Sequence, residues 1–141
     1  MAKPHILCDC AGMSEDRWLE CRAHGPDGSI PYTVGGSDIA AIFGLSPWMT
    51  PLELWMAKKG RTKVAPKAHF EQLEMGHLLE PIAAYWFERK SGNAVSDDTN
   101  LYQHADISYA LANIDRRYTR AIDGKSGVLE CKSCTYHKAA D

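Results

Sequence analysis

Long apolar runs are missing from this sequence. No stretch reaches the roughly 18 apolar residues that a membrane-spanning helix needs, so no membrane partner is expected. The N-terminal segment Met1–Cys10 carries one lysine and only a short apolar run, and so lacks the core of an export signal. A cytoplasmic location follows as the expectation. An even cysteine count is also missing. Cys8, Cys10, Cys21, Cys131 and Cys134 make five, which without an export signal argues against a disulfide framework. A basic excess is missing too. Sixteen Lys and Arg face eighteen Asp and Glu for a formal charge of -2, unlike proteins that live on non-specific nucleic-acid affinity. Carboxylates that hold metal ions lower such a count, and the bound ions restore positive charge locally. There is no internal repeat and no low-complexity segment. What remains is an ordinary chain of 141 residues, 45% hydrophobic and 24% charged, suited to one domain with one core.

Residues 1–13 read as a loose N-terminal arm, and residues 14–141 as the folded domain. Ser14 caps an expected helix to about His24, with Glu15 and Asp16 near its positive end. Gly25–Pro31 is a loop by every local rule. Ser37 reads as the cap of a short apolar helix that stops at Gly44. Thr50-Pro51-Leu52-Glu53 is a capping box with proline at the first helical position, and its helix runs to about Lys59. After a basic linker at 61–67, the longest helix is expected over 68–90, kinked or divided near 75–80 by Pro81. Strands are expected at 101–104, 109–115, 118–122 and 127–132, with a hairpin turn at Asp123-Gly124-Lys125-Ser126-Gly127. Helices followed by antiparallel strands point to an α/β chain of the α+β type.

The chemistry concentrates near the end of the chain. Side chains alternate along a strand, so Glu130 and Lys132 share a face while Leu129 and Cys131 take the other. A hairpin would bring Asp115 beside them. Hard oxygen ligands of this kind hold Mg²⁺. A bound ion polarises a phosphate and acidifies water, and a lysine beside it orients that water or stabilises developing charge. The combination is what a hydrolytic nuclease requires.

Asp115, a spacer of fourteen residues and Glu130-Cys131-Lys132 resemble the PD-(D/E)XK nuclease signature. Further blocks narrow the resemblance: Trp18–Arg22, Gly35–Ile42, Gly44–Trp48 with Thr50–Trp55, Gly76–Pro81, Ala112–Arg117 and Val128–Lys132. In this order, across about 14–138, they resemble the YqaJ-like viral recombinase family, relatives of the phage lambda-type exonuclease. The resemblance implies a restriction-endonuclease-like core in which Glu80, Asp115 and Glu130 hold Mg²⁺, or Mn²⁺ in its place, and Lys132 assists the attacking water. It implies that Arg22 and Ser37 receive a DNA phosphate. It further implies 5′ to 3′ hydrolysis of double-stranded DNA, a single-strand annealing protein as partner, and a possible homo-oligomer. Two departures stand out. Residues 26–34 form an insertion between Arg22 and Ser37. The chain also ends nine residues after Lys132, where the family continues with further strands and a glutamine-bearing helix. The expectation is a truncated chain with weak or absent activity, and a non-catalytic DNA- or protein-binding module is the rival reading.

Other features divide between function and structure. Glu80 lies between Gly76, read as a point of close backbone approach, and Pro81. Arg116, Arg117, Arg120 and Lys125 form a basic cluster that either tracks phosphate or is a solvated face. Trp48, Trp55 and Trp86 read as core or groove-wall residues. Cys8, Cys10, Cys21 and His24 are a candidate zinc set, and Cys131-x-x-Cys134 a candidate redox or iron–sulfur pair. The structural reading is favoured for both sets. His69, His77, His104 and His137 have no ligand spacing.

Overall fold

The computed structural model describes residues 3–61 and 70–133. Its elements run β1 (His5–Asp9), α1 (Glu15–His24), α2 (Gly36–Ile42), α3 (Pro51–Lys58), α4 (Phe70–Ser91), β2 (Ala94–Asp97), β3 (Asn100–Gln103), β4 (Leu111–Ala112), β5 (Arg116–Thr119) and β6 (Ser126–Leu129). This is an α+β chain, as expected. It divides into two compact units, residues 1–66 with 99–113, and residues 67–98 with 114–141.

In the first unit, β1 pairs with β3 and β3 with β4, all antiparallel. The segment read as an arm therefore contributes an edge strand. Helix α1 starts where Ser14 accepts the Arg17 N–H and ends where the Gly25 N–H returns to the Cys21 carbonyl. Gly25 takes φ +77°, a conformation that glycine adopts without steric cost. Cys21, Leu101 and Leu111 form the buried centre, and Leu7, Cys8, Cys10, Met13 and Ile30 pack around it. The inserted loop is tied down. Thr33, buried, donates to the Arg22 carbonyl at 2.5 Å, and Val34 bridges Ala110 in parallel. At α2 the cap is Gly35, and Ser37 falls inside the helix. Asp38 accepts the Gly35 N–H in place of the expected serine contact. The Thr50–Glu53 capping box forms at α3 as read from the sequence.

In the second unit, α4 is a single helix of 22 residues with Pro81 inside it. The proline removes one N–H and leaves the His77 carbonyl without its usual helical donor, yet the helix is not divided. The start expected at 68, the linker from 62 onward, His69, Cys134 and His137 lie outside the described residues. The sheet order is β2-β5-β6, antiparallel. Phe87 of α4 meets Tyr118 of β5 edge-on, with ring centroids 5.4 Å apart, and Glu88 accepts the Val95 N–H at 3.0 Å. Opposite Tyr118 stands Gly127, where a Cβ atom would fall 2.4 Å from the tyrosine ring. The strand expected over 109–115 shrinks to two residues, so Asp115 sits in the approach to β5.

The tryptophans are not core residues. Trp48 is 71% exposed, Trp86 56% and Trp55 48%. Arg61 lies over Trp55 and Lys90 over Trp86, at 5.2 and 4.9 Å from the ring centroids. The Trp55 and Trp86 rings are thus covered by cations close to them in sequence, which satisfies a π face without burial. Among the described residues, no helix is long and apolar enough to cross a membrane.

Candidate functional site

The second unit holds the four residues expected at the chemical centre, Glu80, Asp115, Glu130 and Lys132. Residues Arg116 and Leu129 are register partners in the β5–β6 hairpin. Asp115 and Glu130 each adjoin that pair in sequence. The geometry is closed by a backbone contact, in which the Cys131 N–H donates to Asp115 Oδ2 at 2.7 Å. Burial alternates as a strand demands. Leu129 and Cys131 are half-buried, while Glu130 and Lys132 are exposed on the same side and bonded to each other. Glu80, from the middle of α4, is held by Arg116, whose Nη1 lies 2.5 Å from Glu80 Oε1 and 2.6 Å from the Asp115 carbonyl.

Electrostatics show that these groups converge. The Cys131 thiol is pushed up first by burial and then by the charges of Asp115 and Glu80, with Glu130 adding less and Arg116 opposing. The Lys132 ammonium is raised above the ordinary 10.5, chiefly by its bond to Glu130, with Asp115 adding to it. Lys132 is therefore a fixed cation at neutral pH and cannot serve as a proton acceptor there.

The carboxylates have the right chemistry for a hard divalent cation, but each is engaged within the protein: Glu80 by Arg116, Asp115 by a backbone N–H, Glu130 by Lys132. Among the described residues, no three His, Cys, Asp or Glu side chains are arranged to hold a metal ion. The expected triad is brought to one neighbourhood without being closed around a common point. The zinc set is not assembled either. Cys21 is wholly buried and His24 Nδ1 is bonded to the Pro31 carbonyl at 3.2 Å.

Gly76 is not a point of close backbone approach: among the described residues a Cβ there would meet only Ser133 Oγ at 3.8 Å, an ordinary contact that alanine would also make. The basic cluster is paired internally. Arg116 Nε binds Asp97 at 2.9 Å, Arg117 Nε binds Asp98 at 2.6 Å, and Arg120 and Lys125 both reach Asp123. Strand β2, unrecognised in the sequence, supplies this acidic side, with Asp97 in register opposite Arg116. Two consecutive aspartates ahead of two consecutive arginines were the available signal. Arg116 also lines an open groove of about 330 Å³ between α4 and β2.

In the first unit, the loop anchored by Thr33 and Val34 brings Arg22 to Ser37 despite the insertion. Arg22 Nη2 donates to Ser37 Oγ at 3.3 Å, and its guanidinium lies over Trp18, 5.0 Å from the ring centroid. Lys58 joins the neighbourhood through Asp38, with Nζ to Oδ2 at 2.8 Å.

Comparison with known proteins agrees with the motif order. The YqaJ-like viral recombinase domain matches residues 17–140. The uncharacterized protein YqaJ of Bacillus subtilis (strain 168) is 37% identical over 131 residues, which is 93% of this chain and 37% of that protein. The chain thus spans little more than a third of the curated relative's length. No solved structure matches. With matched residues that include Glu80, the Asp115 turn and the Glu130–Lys132 segment, the chain belongs to the YqaJ-like viral recombinase family.

Proposed function

We propose that this chain carries the active-site region of a metal-dependent DNA nuclease acting on double-stranded DNA. The observation that carries the reading is the hairpin register, which sets Asp115 beside the Glu130–Lys132 pair and fixes it with the Cys131 N–H. Glu80, Asp115 and Glu130 would hold Mg²⁺ or Mn²⁺. A hard ion bound there supplies polarisation of the phosphate and a more acidic water.

The chain's own residues do the rest. The Cys131 N–H orients the Asp115 carboxylate through one oxygen and leaves the other to a further ligand. Lys132, fixed as a cation, donates to a phosphate oxygen where charge accumulates or orients the attacking water. Arg116 positions Glu80. The internal pairing of Arg116 and Arg117 favours positioning over phosphate contact for both. Arg22 and Ser37, adjacent in the first unit, supply a guanidinium and a hydroxyl suited to a DNA phosphate. Polarity from 5′ to 3′ and a single-strand annealing partner are further parts of this proposal, resting on family membership.

The test is incubation of linear double-stranded DNA with the chain and Mg²⁺ or Mn²⁺, against EDTA and against Lys132→Ala. Metal-dependent degradation lost in the variant is the expected result. One observation favours a second reading, a DNA-binding module without turnover: all three carboxylates are already engaged. DNA retention without cleavage, in this chain and in one extended to the length of its relative, would establish that reading and exclude the first.

A further inference from the structure

The N-terminal strand carries a dithiol that the carboxylate chemistry does not use. Cys8 is the fourth residue of β1 and Cys10 follows its last. A register irregularity between Ile6 and Cys8 takes up Leu7 as an extra residue, after which Cys8 pairs with Leu101. Both cysteines are half-buried, and their Sγ atoms stand 3.9 Å apart. Cys21, the third thiol of this unit, is wholly buried and shielded from solvent reagents.

The two sulfurs are neighbours but not at bonding distance. Bond formation requires the sulfurs to approach to about 2.05 Å. A strand rise of about 3.3 Å per residue sets Cα atoms two residues apart near 6.6 Å, at the long end of the roughly 4.4–6.8 Å that a disulfide accepts. Cys10 lies past the end of β1, with its N–H on the Thr99 carbonyl at 2.9 Å, and begins a turn closed by the Met13 N–H on the Cys10 carbonyl at 3.1 Å, so the sulfurs close by adjustment of this turn. A disulfide near the edge of its allowed geometry is strained, which makes it more oxidising and easily reversed.

We propose that Cys8 and Cys10 form a reversible intramolecular disulfide in response to peroxide, a redox-sensitive clasp where β1 leads into α1. The Cys8 thiolate attacks one oxygen of hydrogen peroxide. The O–O bond breaks, leaving a sulfenic acid on Cys8 and releasing hydroxide, which takes up the Cys8 proton as water. The Cys10 sulfur then attacks the Cys8 sulfur. The S–S bond forms, the S–O bond breaks, and the departing hydroxide leaves with the Cys10 proton as a second water. Two thiols lose two electrons and one peroxide is reduced to two waters. The order of attack follows from burial, which with the adjacent Cys8 holds the Cys10 thiol up at about 11 and suits it to the second step.

The experiment treats the folded full chain with hydrogen peroxide, unfolds it, alkylates the remaining thiols and maps them by mass spectrometry. Cleavage after Arg17 separates Cys8 and Cys10 from Cys21. The expected N-terminal peptide has lost two hydrogens and two alkylatable thiols, Cys21 stays alkylatable, and dithiothreitol restores both lost thiols. In Cys10→Ser the peptide instead carries a trappable sulfenic acid on Cys8. Circular dichroism checks that this variant and Cys8→Ser remain folded. Overturning results are full alkylation of Cys8 and Cys10 after the peroxide treatment, or linkage of either to another cysteine or a second chain.

Discussion

Replacing Arg116 by glutamine is the sharpest probe of how the site is held. The guanidinium bonds Glu80 at 2.5 Å, Asp97 at 2.9 Å and the Asp115 carbonyl at 2.6 Å. These contacts are unequal. Asp97 is 80% exposed, so water replaces its partner and little is lost, under about 1 kcal/mol. Glu80 and Arg116 are 23% and 19% exposed, so removal of the cation leaves a half-desolvated carboxylate in mid-helix. A charge-assisted hydrogen bond in that setting is worth about 1.5–3 kcal/mol, and the summed cost is about 2–3 kcal/mol. Urea denaturation of R116Q, E80Q and the double variant measures it, with an expected coupling of about 1.5–2 kcal/mol. If the proposed metal role of Glu80 is right, Mg²⁺ raises the midpoint of R116Q more than that of the parent, because the freed carboxylate takes another cation. Additive single variants would refute the pairing. Equal Mg²⁺ responses would refute the claim that Arg116 competes with metal for Glu80.

Other outcomes follow from the same contacts. Gly127→Ala drives a methyl group toward the Tyr118 ring and costs about 1–3 kcal/mol by denaturation; Tyr118→Ala in the same chain removes that clash penalty. Arg117→Met, facing an Asp98 side chain only 2% exposed, destabilises by about 2–3 kcal/mol. Arg120→Met, at an exposed pair that solvent screens, leaves the denaturation midpoint close to that of the parent. Thr50→Ala weakens α3 by about 1 kcal/mol, read as lost helical ellipticity. That cap is also pH-dependent. The Thr50 N–H, then its hydroxyl, hold the Glu53 carboxyl below the ordinary 4.5, so the contribution is complete above that value and is lost as pH falls through the lowered one. The Lys132 ammonium, followed by NMR, titrates above 10.5 in the parent and shifts down in Glu130→Gln.

Helix ends were legible in the sequence because their determinants are local. Ser14, the Thr50–Glu53 box, Gly25 and Gly60 act within a turn of where they stand. Strands β1 and β2 were not legible, since each is short and justified by a partner distant in sequence: Asn100–Gln103 for β1, Arg116–Thr119 for β2. The exposure of Trp55 and Trp86 is not legible in the sequence for a related reason. Hydrophobicity predicts a preference for burial, while stacked cations such as Arg61 and Lys90 satisfy a ring at the surface.

The site shows both sides of this division. Glu130 and Lys132 share a face by strand alternation, and Asp115 joins them through a turn signal at Asp123–Gly127, so this part was readable from the chain alone. The state of Glu80 was not. Its charge is balanced by an arginine 36 residues away, which the sequence leaves open between a phosphate contact and a solvated face, and that arginine is itself bonded by Asp97 on an unrecognised strand. A nuclease motif specifies which donors a metal would meet. The counter-ions that hold those donors apart are specified by tertiary pairing. An Asp97→Asn substitution therefore separates the two: it leaves every motif residue in place, loosens only the aim of Arg116, and is expected to weaken the Glu80–Arg116 coupling measured in the double-variant cycle. An unchanged coupling would mean that α4 and the Asp115 carbonyl suffice to set the arginine.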